Sequence, residues 1–172
     1  MPRITSGATT VGAVQISGLA PNSTPIESWL NGLLNAKGYA TAAAIFGVAA
    51  QNSISEIRNP AGSGKNLWVY SVFGSTTLAG VIGYRFASPP TLAGGTHGLN
   101  LSTGLANSVA FIANGNTATP GGIVFGQTLG AAGVTQQSPL PWVIVLPPNT
   151  ALLLNDGNLN DNLNLSFTWL EV

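Results

Sequence analysis

Charge is what this chain has least of. Asp, Glu, Lys and Arg make up 6% of its 172 residues, against roughly 25% in ordinary soluble domains. Five basic and five acidic side chains cancel to a formal net charge of zero. Such a surface has little to steer nucleic acid, anionic lipid or a charged substrate, and near-zero net charge favours association over mutual repulsion. Cysteine is absent, which removes disulfides and thiolate metal sites and leaves the redox compartment undetermined. No apolar run approaches the roughly 20 residues that a membrane-spanning helix needs. The best candidate, ATAAAIFGVAA, is short and alanine-rich, and the opening MPRITSGATTVG is small and polar rather than the basic start of a signal peptide. These absences imply no nucleic-acid partner, no membrane partner, and a surface largely covered by copies of the chain or by a larger partner.

What is present is a set of short apolar runs separated by turn formers. The 22 glycines and 11 prolines lie between those runs, which implies many turns rather than disorder. By length the chain is one domain with room for a real core. Residues 1–23 show no sustained period and read as an extended arm. In TPIESWLNGLLNAKG, Thr24 and Glu27 have capping-box spacing, Pro25 takes the first helical position, and Ile26, Trp29, Leu30, Leu33 and Leu34 share one stripe. Lys37 and Gly38 suit the end of that short amphipathic helix.

From about residue 40 the period changes to two. AAAIFGVA, SISEIR, NLWVYSVF, AGVIGYRFA, NSVAFIA, GIVFGQTL, PWVIVL, TALLL and NLNLSFTWLEV read as strands, and NPAGSG, SPPTLAGGTHG, NGNTATPGG, LPPN and NDGNLND read as the turns between them. In the last strand Leu163, Leu165, Phe167 and Trp169 share one face, with Asn164, Ser166 and Thr168 on the other. The expected fold is mainly β: an antiparallel sandwich, jelly-roll-like, over residues 39–172, preceded by an arm and one short helix over residues 1–38.

Two blocks carry a resemblance. The stretch from about residue 40 to residue 73, with RNPAGSGKNLWVYSV at its end, resembles a pattern common in small β-sandwich structural proteins of tailed bacteriophages, and LPPNTALLLNDGNLNDNLNLSFTWLEV resembles their final two strands. The resemblance implies a non-enzymatic virion protein without a cofactor. It would be a capsid decoration (cement) protein on the particle surface, trimeric, and bound to the major capsid protein or another virion protein. The alternative is a tail fibre or spike component, or an adhesin for host glycan. An ordered arm needs a surface to offset its lost conformational freedom, so the interface candidates are Ile4, Val11, Val14 and Ile16 of the arm with Trp29 and Leu33 of the helix.

Other motifs fall short of chemistry. GSGK in RNPAGSGK has Asn59 where a phosphate-binding loop needs its first glycine and Asn66 where it needs a hydroxyl, and the sequence after it is strand-like; a turn is expected. His97, the single histidine, would need Ser102 or another serine and a distant aspartate to form a triad, with no nucleophile elbow to hold it. DGNLNDNLN places Asp156, Asn158 and Asn160 at alternate positions, but Asp161 and Phe167 stand where an EF-hand requires Gly and Glu, so an Asx-rich hairpin turn is expected. Glu27, Glu56 and Glu171 are scattered. Trp29 and Trp169 belong to apolar stripes, whereas Trp68 and Trp142 are free to face either way, as an aromatic platform for sugar would require.

Overall fold

In the computed structural model, residues 37–105, 107–137 and 143–172 are described. The expected arm and all but the last residue of the expected helix lie outside that set. Twelve strands run through it: β1 (Gly38–Ile45), β2 (Asn52–Asn59), β3 (Leu67–Thr76), β4 (Gly80–Ala87), β5 (Thr96–His97), β6 (Leu99–Asn100), β7 (Phe111–Thr117), β8 (Ile123–Gly130), β9 (Gln136–Gln137), β10 (Ile144–Leu146), β11 (Thr150–Leu159) and β12 (Leu163–Glu171).

The pairings are nested. β1 lies antiparallel to β12, β2 to β11, β3 to β9 and β10, and β4 to β8. The chain is therefore a long antiparallel ribbon, its first half paired with its second in reverse order. Wrapping that ribbon brings β12 beside β3 and β11 beside β4. The result is two antiparallel sheets, β10-β3-β12-β1-β6 with β9 also on β3, and β5-β7-β2-β11-β4-β8. This nested order is that of a jelly roll, as the sequence leads one to expect. Residues between β4 and β8 supply β5, β6 and β7, which add β7 to the free side of β2 and β6 to the free side of β1.

The core lies between the sheets. Period two puts Leu163, Leu165, Phe167 and Trp169 of β12 inward, where they meet Ile57, Val69, Val72, Ile82, Tyr84, Leu152 and Leu154. Asn164 on the opposite face is exposed. Trp169 is fully buried and stacks on Tyr39 at 5.9 Å between ring centroids. Gly98 lies so close beneath it that a Cβ there would sit 2.2 Å from the indole ring. β11 is buried on both faces, because Ala151 and Leu153 form a second small cluster with Ala87 on the outer side of the sheet.

Three expected boundaries are corrected. NSVAFIA and NGNTATPGG divide in the wrong place, since β7 leaves out residues 107–110 of the first and takes in Asn114, Gly115, Asn116 and Thr117 of the second, which pair with β2. The first strand is Gly38–Ile45, four residues earlier than AAAIFGVA suggests, because β12 pairs with it from Gly38 onward and Phe46 leaves the sheet exposed. NDGNLND is mostly strand rather than turn: β11 continues to Leu159 and only residues 160–162 turn. Its polar groups stay in the sheet because they are bonded there. Asn52 Nδ2 donates to the Asp156 carbonyl at 2.9 Å, and Asn155 accepts from Arg85 Nε at 2.9 Å.

Removing the largest buried side chain tests this packing. Trp169→Ala should destabilise the fold by about 3–5 kcal/mol, read as a lower midpoint in chemical denaturation; a loss below about 1 kcal/mol would place Trp169 outside the core.

Candidate interaction surface

The charged side chains of the sandwich hold loops. Glu56 on β2 and Arg85 on β4 flank Leu153 in one row on the outer face of the second sheet. Glu56 is buried, and its Oε2 accepts from the Thr91 N–H (2.9 Å), the Thr91 hydroxyl (2.8 Å) and the Leu92 N–H (3.2 Å). Arg58 donates to the Leu92 carbonyl at 2.5 Å and to that of Gly94. Arg85 gathers the carbonyls of Pro120 (3.0 Å), Gly121 (3.3 Å) and Gly122 (3.3 Å). Gly122 has φ of 74° and a Cβ there would lie 2.7 Å from the Phe86 carbonyl oxygen, so only glycine fits. Two loops are thus pressed onto the outer face and cover Ala87, Ala151 and Leu153.

The GSGK segment is a turn that carries the chain from β2 in one sheet to β3 in the other, with Gly62 and Gly64 at positive φ. Asn59 fixes it by donating to the carbonyls of Lys65 (2.7 Å) and Leu146 (2.9 Å). Lys65 also has a definite partner, Glu171, at 3.3 Å. Glu171 is 1% exposed and Lys65 42%. The Glu171 Oε1 accepts from the Ser108 hydroxyl (2.5 Å) and the Val109 N–H (2.7 Å), so this carboxylate binds the approach to β7 to the end of β12.

The remaining sequence candidates separate in space. His97 sits exposed on β5; its Nδ1 lies 2.6 Å from the Ser108 carbonyl oxygen and its ring packs on Phe111, 4.2 Å between centroids. Arg58 covers the same Phe111 ring at 5.3 Å. Neither Ser102 nor an aspartate is bonded to His97 among the described residues, and the triad geometry is not formed there. Trp169 is core and Trp68 half-buried, while Trp142 lies outside the described residues. So do the interface candidates Ile4, Val11, Val14, Ile16, Trp29 and Leu33.

A different apolar surface stands out. β8 is the outermost strand of its sheet, and among the described residues nothing pairs with its free side. It has no charged residue, and Ile123 and Leu129 are 76% and 80% exposed, with Val124 and Phe125 also exposed. β3 packs over β4, so β10 with its exposed Val145 lies at the same side of the sandwich. Edge strands are ordinarily guarded by lysine, proline or a covering element. Here the only irregularity is a bulge opposite Tyr84 and Arg85. The sequence contains this signal in GIVFGQTL, but an apolar run alone does not distinguish an edge from a central strand.

No protein-family model, curated protein or solved structure matches this chain.

The Lys65–Glu171 pair is unequal, and its two halves should respond unequally. Lys65→Ala removes a partly exposed ion pair and should cost less than about 1 kcal/mol. Glu171→Ala leaves the buried Ser108 and Val109 donors unpaired and should cost about 2–4 kcal/mol. Equal midpoints for the two variants in denaturant would contradict the assignment.

Proposed function

We propose that this protein is a non-enzymatic virion component, a decoration protein that binds the outside of a phage capsid and reinforces it, and that it works as a closed ring of copies. The observation that carries the reading is the exposed, charge-free edge strand β8 on a jelly-roll sandwich. An unpaired strand edge that carries exposed apolar side chains and no charge is a ready template for another chain.

The distribution of charge supports it. Four of the five acidic residues, Glu56, Asp156, Asp161 and Glu171, are buried, so the surface presented to partners is poorer in negative charge than the composition suggests. An uncharged edge joins copies by backbone pairing and apolar contact, and closing a ring prevents open-ended growth. The trimeric count comes from the resemblance of the RNPAGSGK and LPPN blocks to phage sandwich proteins. Capsid attachment falls to the N-terminal arm in this reading, with Ile4, Val11, Val14 and Ile16 as its contacts.

Two measurements test it. Light scattering should give a mass of three chains at micromolar concentration, falling to one chain in the Ile123→Lys, Leu129→Lys double variant with an unchanged β-type circular dichroism spectrum. A wild-type monomer, or a variant that stays trimeric, would remove β8 from the interface. Deleting residues 2–22 should leave the thermal transition of the free protein in place and weaken binding to particles that lack it at least tenfold. Equal binding would shift the attachment to the sandwich.

A further inference from the structure

One end of the sandwich contains a pair of carboxyl groups with no counter-ion among the described residues. Asp156, near the end of β11, and Asp161, in the turn before β12, are both buried, at 0% and 1% exposure. The donors around them are divided unevenly. Asp161 Oδ1 accepts from the N–H groups of Asn162 (2.7 Å), Thr77 (3.1 Å) and Leu78 (3.2 Å) and from the Thr77 hydroxyl. Its Oδ2 accepts from the Leu78 N–H (3.0 Å) and from Asn158 Nδ2 (3.4 Å). Among the described residues, Asp156 Oδ1 accepts from a single donor, the Asn158 N–H at 2.9 Å, and its buried Oδ2 has no donor. Asn158 bridges the pair, its N–H on Asp156 and its Nδ2 on Asp161, which brings the two carboxyl groups close enough for each to act on the other.

Two ionised carboxylates in contact in a buried site repel each other, and one of them is then held protonated. The donors decide which. Asp161, ringed by N–H groups, is the carboxylate; a metal cation is disfavoured there, because those same N–H dipoles present their positive ends to it. Asp156, with an oxygen that has nothing to accept from, is the acid. We propose that Asp156 is a buried carboxylic acid whose proton bonds it to Asp161, and that loss of this proton is a switch that loosens the adjoining turns of the sandwich.

Among the described residues, the elements packed around the pair turn no other charge toward it: Glu56 of β2 and Arg85 of β4 lie beside Leu153 on the outer face. From β2 comes Asn52, which bonds the Asp156 carbonyl; from β4 comes Ile82, opposite Asp156 in the ladder; from the β3–β4 turn come Thr77 and Leu78; and from the start of β12 come Asn162 and Leu163. Arg85, the nearest cation along β4, is engaged with Asn155 and the 120–122 loop on the opposite face of the sheet. Burial pushes the Asp156 carboxyl up to about 7; the Asn158 N–H opposes that rise and the neighbouring Asp161 adds to it. Burial acts upward on Asp161 as well, but hydrogen bonds from Thr77, Leu78 and Asn158 and its contact with Asp156 outweigh it and hold Asp161 below the usual carboxylate range.

The consequence is local first. Asp161 fastens the β3–β4 turn, Asn158 Nδ2 donates to the Ala79 carbonyl at 3.2 Å, and Asn162 binds the Gly47 N–H at 2.8 Å. Three turns converge on this cluster, two of them carrying the exposed Phe46 and Leu78 and the third following the exposed Leu159 at the end of β11. A second negative charge at Asp156 sets it against Asp161 and weakens that fastening.

The linkage has a definite sign. A carboxyl whose folded value lies above its unfolded one binds its proton more tightly when folded, so its contribution is complete below about pH 4 and declines as pH rises to about 7. Asp161 acts in the opposite sense and only below its ordinary value near 3.8. The unfolding equilibrium constant of the wild type should therefore grow by up to tenfold per pH unit between pH 4 and 7 and level off above. Asp156→Asn, which keeps the shape and the donor without the charge, should abolish that slope and be the more stable protein at pH 7. Hydrogen exchange, corrected for intrinsic rates, should show protection of the Thr77 and Leu78 amides falling between pH 4 and 7 in the wild type and holding in the variant. A wild-type stability flat from pH 4 to 7, or an Asp156→Asn slope equal to that of the wild type, would overturn the proposal. Where the variant does not fold, carbon NMR titration of the wild-type carboxyl decides: a midpoint above pH 6 supports the acid, and one near 4 refutes it.

Discussion

Everything in this molecule depends on the pairing of the chain's two halves in reverse order. β1 meets β12 with Gly38 opposite Leu170, and β2 meets β11 with Asn59 opposite Thr150. Such contacts close loops of roughly a hundred residues, and their entropic cost must be offset by burial that appears only when the ribbon is wrapped. The sequence concentrates that burial at its end. β12 sits between β3 and β1 in one sheet, and β11 between β2 and β4 in the other. TALLL and NLNLSFTWLEV are therefore the middle strands of both layers, which is why one reads as continuously apolar and the other as strictly alternating.

The wrapped ribbon leaves backbone groups in its long connections without strand partners, and buried carboxylates of which only Glu171 has a counter-ion among the described residues. Each deficiency relieves the other. A buried N–H needs an acceptor and a buried carboxylate needs donors. Glu56 takes the N–H groups of Thr91 and Leu92, Glu171 that of Val109, and Asp161 those of Thr77, Leu78 and Asn162. Arg58 and Arg85 do the converse with loop carbonyls. A chain with 6% charge spends much of it on fixing connections, which leaves little for the outer surface. Asp156 is the member of this set with too few donors, and its chemistry differs for that reason.

Much of this was legible beforehand. Each of the nine apolar runs overlaps a strand, the inward face of β12 follows from its alternation, and Gly62 and Gly64 mark a turn as their sequence implies. Illegible were features whose cause lies elsewhere in the chain. β11 runs through Asn155, Asp156 and Asn158 because Asn52 and Arg85 bond those residues from neighbouring strands, and local composition reads them as a turn. β5, β6 and β9 are two residues each, too short for any period to register. Lys65 reads as a solubilising residue until the end of β12 brings Glu171 to it across 106 positions. The pairing of Asp156 with Asp161 was visible as proximity in sequence, but the uneven supply of donors was not.

The treatment of the sheet edges is asymmetric, and the asymmetry carries meaning. The long connection after β4 is folded back so that β7 and β5 cover the side of β2, and β6 covers the start of β1. Glu56 and Arg58 anchor that connection from inside the sheet it protects. On the other side the same chain gives β8 no lysine, no proline and, among the described residues, no covering strand, and places Ile123 and Leu129 in solvent. A sequence that guards one side with 35 residues of connection between β4 and β8 has the means to guard the other. An exposed edge that persists beside such protection is the feature on which the proposed self-association rests, and a second copy of an uncharged strand would meet it without requiring a charge from either partner.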